Sequence, residues 1–374
     1  MTGRHIVPSG TLRGIWAGLS EHRAGSGRSD PVEFQQAVET DMAQAQAQPN
    51  IALVKYWGKR HGARNLPAVG SLSVTLESLW TQTEVEFDPD LPEDLFLLNG
   101  VPDPKGLVRV SRCLDPIRQQ ASCPHRARIQ TRNNFPTSAG LASSASGFAA
   151  LVTAAIAALR LEISAEERSE WARWASGSAP RSLYGGFVEL RLHETPAPGR
   201  TELVPLADPG HWPLEVAIAI TSLSAKPVGS TAGMELTAKT SPFYEDWIRA
   251  QPADLEDARQ AVVARDFEKL ALVSEHSCLK MHGLALAAKP GLLYWNGATI
   301  TCLTVLRDLR AKGIPVFFTV DAGPQVKAVC EPGATQQVAE ILRQIPGVLE
   351  VMTSRLGPGA RVLSGAEKAL LSAP

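Results

Sequence analysis

"NNFPTSAGLASSASG", residues 133–147, is the stretch that decides how this chain folds. Small side chains and hydroxyl groups dominate it, and the apolar run FAALVTAAIAAL follows directly. A run of that length without charges predicts a helix over residues 147–160 that is buried on most of its faces. The small residues before it therefore form a loop that leads into a helix N-terminus.

This loop is a candidate phosphate site. A helix N-terminus binds phosphate through free backbone N–H groups and the helix dipole, without a charged side chain. Gly140 lets the backbone approach a ligand closely, and Ser143 and Ser144 supply hydroxyl groups. No lysine lies between residues 136 and 146, which excludes a Walker A motif. From these residues alone, a helix start selected only for close packing explains the stretch equally well.

Length and charge limit the class of protein. The chain has 374 residues, enough for two domains that each bury a core. Its formal net charge is −1, with 37 Lys and Arg against 38 Asp and Glu. So balanced a charge gives no field that would recruit nucleic acid or a membrane surface. We therefore expect a small-molecule ligand held by local groups.

The cysteines and histidines predict neither disulfides nor a protein-held metal. The five cysteines are scattered singly, and none of the eight histidines has metal-binding spacing. We expect reduced thiols, no metal ligands and a cytoplasmic protein. No apolar run approaches the roughly 20 residues that span a bilayer, and the first residues have no sustained apolar core typical of a secretory signal.

The sequence predicts an extension followed by two domains. Residues 1–41 are rich in Gly, Ser and Arg and predict a poorly ordered extension; a transit peptide, or a true start at Met42, are alternatives. In residues 42–208 strands precede helices, which predicts an α+β domain and not a doubly wound parallel sheet. Residues 209–374 predict a second domain with a βαβ-like pattern.

Several elements can be predicted individually. NIALVKYW, GSLSVTLESLWTQTEVEF, SLYGGFVELRL, PLEVAIAIT, IPVFFTV and GVLEVMT predict strands, and Asn99-Gly100 predicts a hairpin turn. Ser164 with Glu167 forms a capping box for a helix. Further helices are predicted around 254–275, 299–312 and 335–345. AQAQAQ, at 43–48, is a low-complexity tract with no element assigned to it.

One cluster of basic residues, one isolated arginine and one carboxylate suggest chemistry. VKYWGKR places Lys55, Tyr56, Lys59 and Arg60 together, which predicts either an anion site or a strand with a solvated basic end. Arg181 lies in the small-residue loop SGSAPRSLYGG without a nearby acidic residue, so it pairs either with a ligand carboxylate or with an acidic side chain from elsewhere.

Asp321 follows the apolar strand FFTV and precedes a Gly-Pro turn. A carboxylate at a strand end is a reasonable general base, because partial burial raises its pKa and a nearby lysine lowers it again. Asp is also a common turn residue, so this pattern alone is weak.

The conjunction of motifs resembles a known family. P-x-x-A-G-L-A-S-S-A is similar to the phosphate loop of the GHMP small-molecule kinases, and the fuller stretch is closer still to the diphosphomevalonate decarboxylases within that superfamily. Further motifs stand in the matching order over roughly residues 49–330, namely PNIALVKYWGKR, SLSVTLES, SGSAPRSLYGGFVE, KPVGSTAGM and DAGP. The resemblance implies a GHMP kinase-like α+β fold with a ribosomal-S5-like N-terminal domain, a ferredoxin-like C-terminal domain and the active site in the cleft between them.

The resemblance also implies roles for individual residues. Asp321 would orient or deprotonate a tertiary hydroxyl, Lys55 would lie near the reacting carbon, and Arg181 would hold the carboxylate that is lost as CO2. Ser144 completes the implied catalytic set. Substrate would contact the residues Tyr56, Lys59, Arg181 and Ser182. ATP would contact the residues Pro136, Ala139, Gly140, Leu141, Ala142, Ser143, Ser144 and Ser146.

The implied reaction is ATP- and Mg2+-dependent decarboxylation of mevalonate 5-diphosphate to isopentenyl diphosphate, by a homodimer. A phosphomevalonate decarboxylase and a mevalonate 3-kinase share the fold and remain alternatives, as does a non-catalytic nucleotide-binding relative. The chain departs from the family pattern at Val69-Gly70, Pro180, Lys280 and Gln325, which leaves the number of phosphates on the substrate open.

Overall fold

The computed structural model of the chain describes residues 42–61, 65–136, 141–192, 201–364 and 367. The predicted extension over residues 1–41 lies outside these ranges, as do Ala139 and Gly140 of the phosphate loop. Every structural statement below concerns the described residues.

Three main sheets organise the described residues. The first sheet has six strands in the spatial order β16 (Arg361–Val362), β1 (Ala43–Ala47), β6 (Thr81–Asp88), β9 (Arg126–Asn133), β7 (Leu95–Leu98) and β8 (Val101–Pro102). Its pairings are antiparallel except for β7 with β9. Three helices pack on it, α1 (Pro104–Gln120), α2 (Ser143–Ala158) and α3 (Ala165–Ala175). The strand at one edge therefore comes from the far end of the described chain.

The AQAQAQ tract forms β1, which the sequence analysis did not predict. Ala43, Ala45 and Ala47 are buried in the core beneath the helices. Eleven residues of α2 are buried, and most of them are small. Alanines on β1 let this alanine-rich helix approach the sheet closely, so the alternation of Ala and Gln is the period-2 pattern of a strand with unusually small inward residues.

The second sheet has the order β11 (Thr201–Ala207), β10 (Phe187–Leu192), β5 (Ser71–Thr75) and β2 (Asn50–Val54), with all pairings antiparallel. A short pair, β3 (Lys59–His61) with β4 (Leu66–Pro67), follows β2. All residues of β2 and β5 are buried. Burial on both faces explains why NIALV is continuously apolar after its first residue instead of alternating.

The third sheet has the order β13 (Val316–Val320), β14 (Val326–Cys330), β12 (Glu215–Ile220) and β15 (Glu350–Arg355), again antiparallel throughout. The helices α7 (Gly297–Ala311) and α8 (Thr335–Arg343) share a core with it. The remaining helices are α4 (Ser230–Thr240), α5 (Tyr244–Ala264) and α6 (Phe267–Leu286). Because β14 and β15 flank β12, the predicted βαβ-like pattern is a split one.

The second and third sheets share one hydrophobic core with α5 and α6. Its members include Ile51 and Leu72 from the second sheet, Ile218 and Phe317 from the third, and Leu270 from α6. This core fixes the end of β2 opposite the end of β13. The predicted domain boundary at residue 208 falls between β11 and β12 and stays a prediction.

The predicted local signals have mixed outcomes. Ser164 and Glu167 form the capping box at the start of α3, and Asn99 and Gly100 both have positive φ in the β7–β8 turn, so both predictions are confirmed. The helical stretches predicted around 254–275 are confirmed and belong to two helices, because Arg265 adopts φ 55° and ends α5, and Asp266 caps α6. The buried helix begins at Ser143, four residues earlier than predicted.

Candidate active site

A cavity of about 500 Å³ collects most of the residues singled out by the sequence. The predicted residues that line it are Lys55, Tyr56, Lys59, Ala142, Ser143, Ser144, Arg181 and Asp321. They come from the segment after β2, the start of α2, the 3-10 helix Ala179–Leu183 and the end of β13. These segments are far apart in sequence, and the shared core brings them to one place.

The N-terminus of α2 faces this cavity. Ala142, the residue before the helix, has φ 56°, and its side chain makes no cap hydrogen bond. Ser143 and Ser144 line the cavity in the first turn, at the positive end of the helix dipole. The Oγ atom of Ser144 lies 3.4 Å from that of Ser176, across the cavity wall. Hydroxyls and backbone donors are therefore available to an anion at this point.

Three of the residues predicted to bind ATP are absent from the described residues that line the cavity. Ser146 is buried, and its Oγ lies 2.7 Å from Thr81 Oγ1 on β6. Ser146 lies nearly one turn beyond Ser143 along α2, and its hydroxyl contacts the first sheet. Leu141 is buried in the shared core, and Pro136 is half-buried. Direct contact of these three with a ligand stays a prediction without support from the geometry.

Ser182, predicted to bind substrate, is also turned into the protein. Its side chain is fully buried, and its Oγ accepts a hydrogen bond of 2.8 Å from Asn50 Nδ2. Asn50 itself lines the cavity and also donates to the carbonyl of Ser178. The Ser182 hydroxyl is therefore engaged by Asn50 and fixes the position of that cavity-lining side chain.

The Asp321 carboxylate lies between two buried ammonium groups. Lys55 Nζ is 2.7 Å from Oδ1, and Lys327 Nζ is 3.2 Å from Oδ2. Burial alone would raise the pKa of Asp321, but the two ammonium groups outweigh it and hold the pKa well below its usual range. Asp321 is therefore ionised at neutral pH. It is a strong hydrogen-bond acceptor and a weak base.

Arg181 is a further buried cationic group that lines the cavity. Its Nη1 donates to Ser71 Oγ at 2.8 Å, and its guanidinium lies 5.3 Å from the centre of the Tyr56 ring. Burial lowers the pKa of Arg181 to about 10 and raises the pKa of Tyr56 to about 12, so both keep their protons at neutral pH. Among the described residues, no carboxylate forms an ion pair with Arg181, which favours the ligand as its partner.

Lys59 is held at the cavity rim. Its Nζ donates to Asn65 Oδ1 at 2.7 Å and to Thr231 Oγ1 at 3.1 Å. Partial burial lowers the pKa of Lys59 below its usual value. The Asn65 side chain in turn donates to the carbonyl of Trp174. Both hydrogen-bond acceptors of Lys59 are neutral, so its charge remains available to an anion.

Three cavity or near-cavity cations were missed by the sequence analysis. Lys226 lines the cavity and donates to Ser230 Oγ and to the carbonyl of Ala322. Arg109, on α1, lines it beside Ser143. Lys327 lies in the interior of β14. A lysine inside the strand VKAVC was a detectable signal, because lysine is almost never fully buried unless it is paired.

Two departures from the family pattern have packing explanations. A Cβ atom on Gly70 would lie 2.7 Å from Leu255 Cδ2 and 2.9 Å from the carbonyl oxygen of Leu190, so α5 packs too closely for a side chain there. Gln325 is fully buried and bridges the backbone N–H of Thr221 and the carbonyl of Ser222. Both positions therefore serve packing and turn structure in this chain.

Family models match most of the chain. The model of the diphosphomevalonate decarboxylase-like N-terminal domain matches residues 47–199, and that of the mevalonate 5-diphosphate decarboxylase C-terminal domain matches residues 216–360. The diphosphomevalonate decarboxylase of Saccharomyces cerevisiae is 36% identical over 301 residues, which are 75% of this chain and 76% of that protein. The human diphosphomevalonate decarboxylase is 36% identical over 300 residues, 74% and 73% of the two chains.

The chain belongs to the diphosphomevalonate decarboxylase family. This confirms the resemblance inferred from the motifs.

Solved structures of the diphosphomevalonate decarboxylase family also share the fold. The mevalonate diphosphate decarboxylase of Staphylococcus aureus superposes with a TM-score of 0.81 at 36% identity, covering 86% of this chain and 98% of that one. A complex of MDDEF with MVAPP, AMPPCP and magnesium gives a TM-score of 0.79 at 37% identity, covering 86% and 99%. The predicted α+β, GHMP kinase-like fold is therefore confirmed.

The cavity fits a magnesium ion that is bound mainly through phosphate. Within the described ranges, Asp321 is the one carboxylate lining it, and no group of three or more His, Cys, Asp or Glu side chains could hold a metal. Magnesium usually keeps few protein ligands and several phosphate or water oxygens.

None of the helices in the described ranges combines the length and the apolar character that a membrane span requires.

Replacing Asp321 by Asn should destabilise the fold in a pH-dependent manner. Lys55 and Lys327 would remain buried without a counter-charge, and breaking a buried pair costs about 3 kcal/mol. Burial already lowers the pKa of Lys327, and loss of the carboxylate would lower it further. An unfolded lysine titrates near 10.4. The loss of unfolding free energy in the variant should therefore be largest at neutral pH and shrink as pH rises towards 10.

Urea unfolding of both proteins at about pH 7 and pH 9.5 measures this difference. A loss of unfolding free energy that stays constant over that range would contradict the charge argument.

Proposed function

We propose that this chain catalyses the ATP-dependent decarboxylation of mevalonate 5-diphosphate, releasing isopentenyl diphosphate, ADP, phosphate and CO2. The observation that carries the proposal is the convergence on one cavity of an ionised carboxylate, two separate cationic groups and a helix N-terminus. Three anionic features need separate holders in this reaction, namely the nucleotide phosphates, the substrate phosphates and the substrate carboxylate. A kinase that transfers phosphate without decarboxylation breaks no bond to a carboxylate, so it needs no group that holds the carboxylate during C–C cleavage.

Asp321 accepts a hydrogen bond from the tertiary hydroxyl of the substrate and aligns its oxygen for attack on the γ-phosphorus of ATP. The new O–P bond forms as the bond to the β-phosphate oxygen breaks, and the hydroxyl proton passes to the carboxylate. Because the pKa of Asp321 is depressed, this proton moves late, once the oxygen has begun to bond to phosphorus. Positioning is thus the main contribution of Asp321.

Lys55 and Arg181 act on the second half of the reaction. Lys55 neutralises charge on the departing phosphate, whose C–O bond takes its electron pair away from the substrate. Arg181 holds the carboxylate while its C–C bond breaks, and that electron pair forms the double bond of the product. Arg181 is buried and the Tyr56 ring beside it is partly buried, which limits the access of water to the substrate carboxylate.

Ser143 and Ser144, at the N-terminus of α2, would hold the phosphates of ATP, and the Ser144 hydroxyl would bind Mg2+. Bound Mg2+ would neutralise charge on phosphate oxygens. Tyr56 and Lys59 would contact the diphosphate of the substrate. Lys226 and Arg109 add positive charge to the same walls, which suits a ligand pair of this total negative charge.

A substrate panel tests the proposal. Purified protein with ATP and Mg2+ should release ADP and CO2 in equal amounts from mevalonate 5-diphosphate, but not from mevalonate or its 5-phosphate. Asp321→Asn should lower kcat by about 10³-fold or more while ATP binding changes little. ADP without CO2 would indicate a 3-kinase, CO2 from the monophosphate would indicate a phosphomevalonate decarboxylase, and full turnover by the variant would refute the role of Asp321.

Gly177 offers a test of the substrate pocket. A Cβ atom there would lie 2.2 Å from Tyr56 Oη, so Gly177→Ala should displace the Tyr56 ring and weaken substrate binding. We expect KM for the diphosphate substrate to rise about tenfold or more, because one hydrogen bond to a charged group is lost. Gly283, on α6, has open space around an added Cβ atom and is absent from the described residues that line the cavity, so Gly283→Ala is the matched control. Equal KM values in the two variants would argue against a phosphate contact of Tyr56.

We also propose a cytoplasmic homodimer. All five cysteines are buried and free, which supports a reducing compartment. Val263 and Leu272, on α5 and α6, are 62% and 63% exposed and are apolar side chains that a second copy could cover. Sedimentation velocity at micromolar concentration should give the mass of a dimer; a monomer at all concentrations would exclude it.

A further inference from the structure

The two lysines that hold Asp321 differ in their access to a ligand. Both lysine side chains are 1% exposed, but Lys55 lines the cavity, whereas Lys327 is absent from the described residues that line it. Lys55 Nζ contacts Oδ1 of the carboxylate from the cavity side, and Lys327 Nζ contacts Oδ2. Only the first of these ammonium groups can meet a ligand without a rearrangement of the third sheet.

The backbone of Lys327 is also the more tightly fixed. Its strand β14 lies between β13 and β12, and Lys327 pairs with Thr319 on one side and with Ile218 on the other. Lys55 follows the end of β2, where its N–H donates to Ser277 Oγ and its carbonyl accepts from Gln251. The Lys55 ammonium group also donates to the Ala52 carbonyl at 2.9 Å, and it lies in the cavity wall on a four-carbon stem that can rotate. Lys327 cannot leave Asp321 as easily.

The charge balance at Asp321 explains why Lys55 and Lys327 differ in their access to a ligand. Asp321 with both lysines carries one net positive charge, which is one cation more than a buried carboxylate requires. If Lys55 alone paired with it, movement of Lys55 towards a phosphate would leave a largely buried carboxylate unpaired. An uncompensated buried charge is strongly unfavourable. A second, fixed lysine removes that obstacle.

We propose that Lys327 is a positioning residue that keeps the Asp321 carboxylate fixed and charge-compensated, so that Lys55 can leave it for the departing phosphate. This inference rests on the proposed function. It explains the second lysine beside Asp321 by a role in the reaction and not by a role in folding. Lys327 touches neither substrate nor nucleotide and acts through Asp321.

Other charged or titratable groups near Asp321 must be considered in any pH experiment. They are Lys55 after β2, Lys226 before α4, Arg181 on the 3-10 helix, and Cys278 and His282 on α6. Burial lowers the pKa of His282 to about 3 and raises the pKa of Cys278, so both are neutral at pH 7. Lys55 and Lys327 are the two cations in direct contact with Asp321, and of these only Lys327 is absent from the described residues that line the cavity.

The test compares Lys327→Met, Lys327→Arg and the control Arg310→Met. Methionine matches the length of the lysine side chain and removes its charge, leaving Asp321 and Lys55 as a balanced pair. Arg310 forms a buried ion pair with Glu275 at 2.9 Å and does not line the cavity, so its variant controls for loss of stability alone. Should Lys327→Met not fold, Lys327→Gln, which keeps a donor towards Oδ2, replaces it.

The first readout needs no substrate. A carboxylate with a depressed pKa in the fold gives stability that is present above the unfolded pKa, near 3.9, and is lost as pH falls below it. In Lys327→Met the folded pKa of Asp321 should move up towards that value. The unfolding free energy should then fall less steeply between about pH 4 and pH 2 than in the wild type, and Lys327→Arg should restore the steeper fall.

The second readout is turnover. Lys327→Met should lower kcat about 30-fold with KM for both substrates within about twofold, because binding groups are untouched and only the aligned carboxylate is affected. Arg310→Met should lose stability with kcat unchanged. A folded Lys327→Met protein with wild-type kcat and a wild-type acid profile would overturn the inference.

The two readouts separate this inference from the proposed function. If the wild type releases no CO2 from any substrate, the proposed function fails, and the acid profile still decides whether Lys327 holds Asp321 ionised. If CO2 is released but the acid profile and kcat of Lys327→Met match the wild type, the function stands and the role of Lys327 is wrong.

Discussion

The ion pair between Lys55 and Asp321 is the constraint around which the described structure is organised. The two residues are 266 positions apart in sequence, and their side chains meet at 2.7 Å. The carboxylate can be buried here only if the segments that carry it and its two lysines are held close together, because displacement from both ammonium groups would leave it uncompensated. The shared core supplies that rigidity, and Thr319 Oγ1 reinforces it by donating to the Ala52 carbonyl, which also accepts from Lys55.

A neutral phosphate loop follows from this arrangement. The loop before α2 contains no lysine, so the cations that balance phosphate come from other segments, among them Lys59 and Lys226. Each of these is anchored by neutral hydrogen-bond partners, and burial lowers the pKa of each. Cations held without carboxylate partners keep their field for a ligand, which suits a cavity that must receive two polyanions.

The sequence identified local signals well and long-range ones poorly. The capping box at Ser164 and the strand of β2 depend on neighbouring residues, so pattern and spacing suffice to predict them. The break at Arg265 depends on a positive φ at a non-glycine residue, which no propensity indicates. Lys327 was missed although its partner Asp321 precedes it in the same β13–β14 hairpin, because its burial is a tertiary property. The orientation of Ser146 towards β6 likewise requires knowledge of which face of α2 the sheet covers.

The pairing of β16 with β1 has a consequence for biosynthesis. Ala45 and Gln46, near the start of the described chain, pair with Val362 and Arg361 near its end. The edge of β1 in the first sheet therefore remains open until nearly all of these residues have left the ribosome. Open strand edges template association between chains, and non-local pairing is slow to form. Nascent chains should thus depend on chaperones late in synthesis, after the helices that cover the sheet have already emerged.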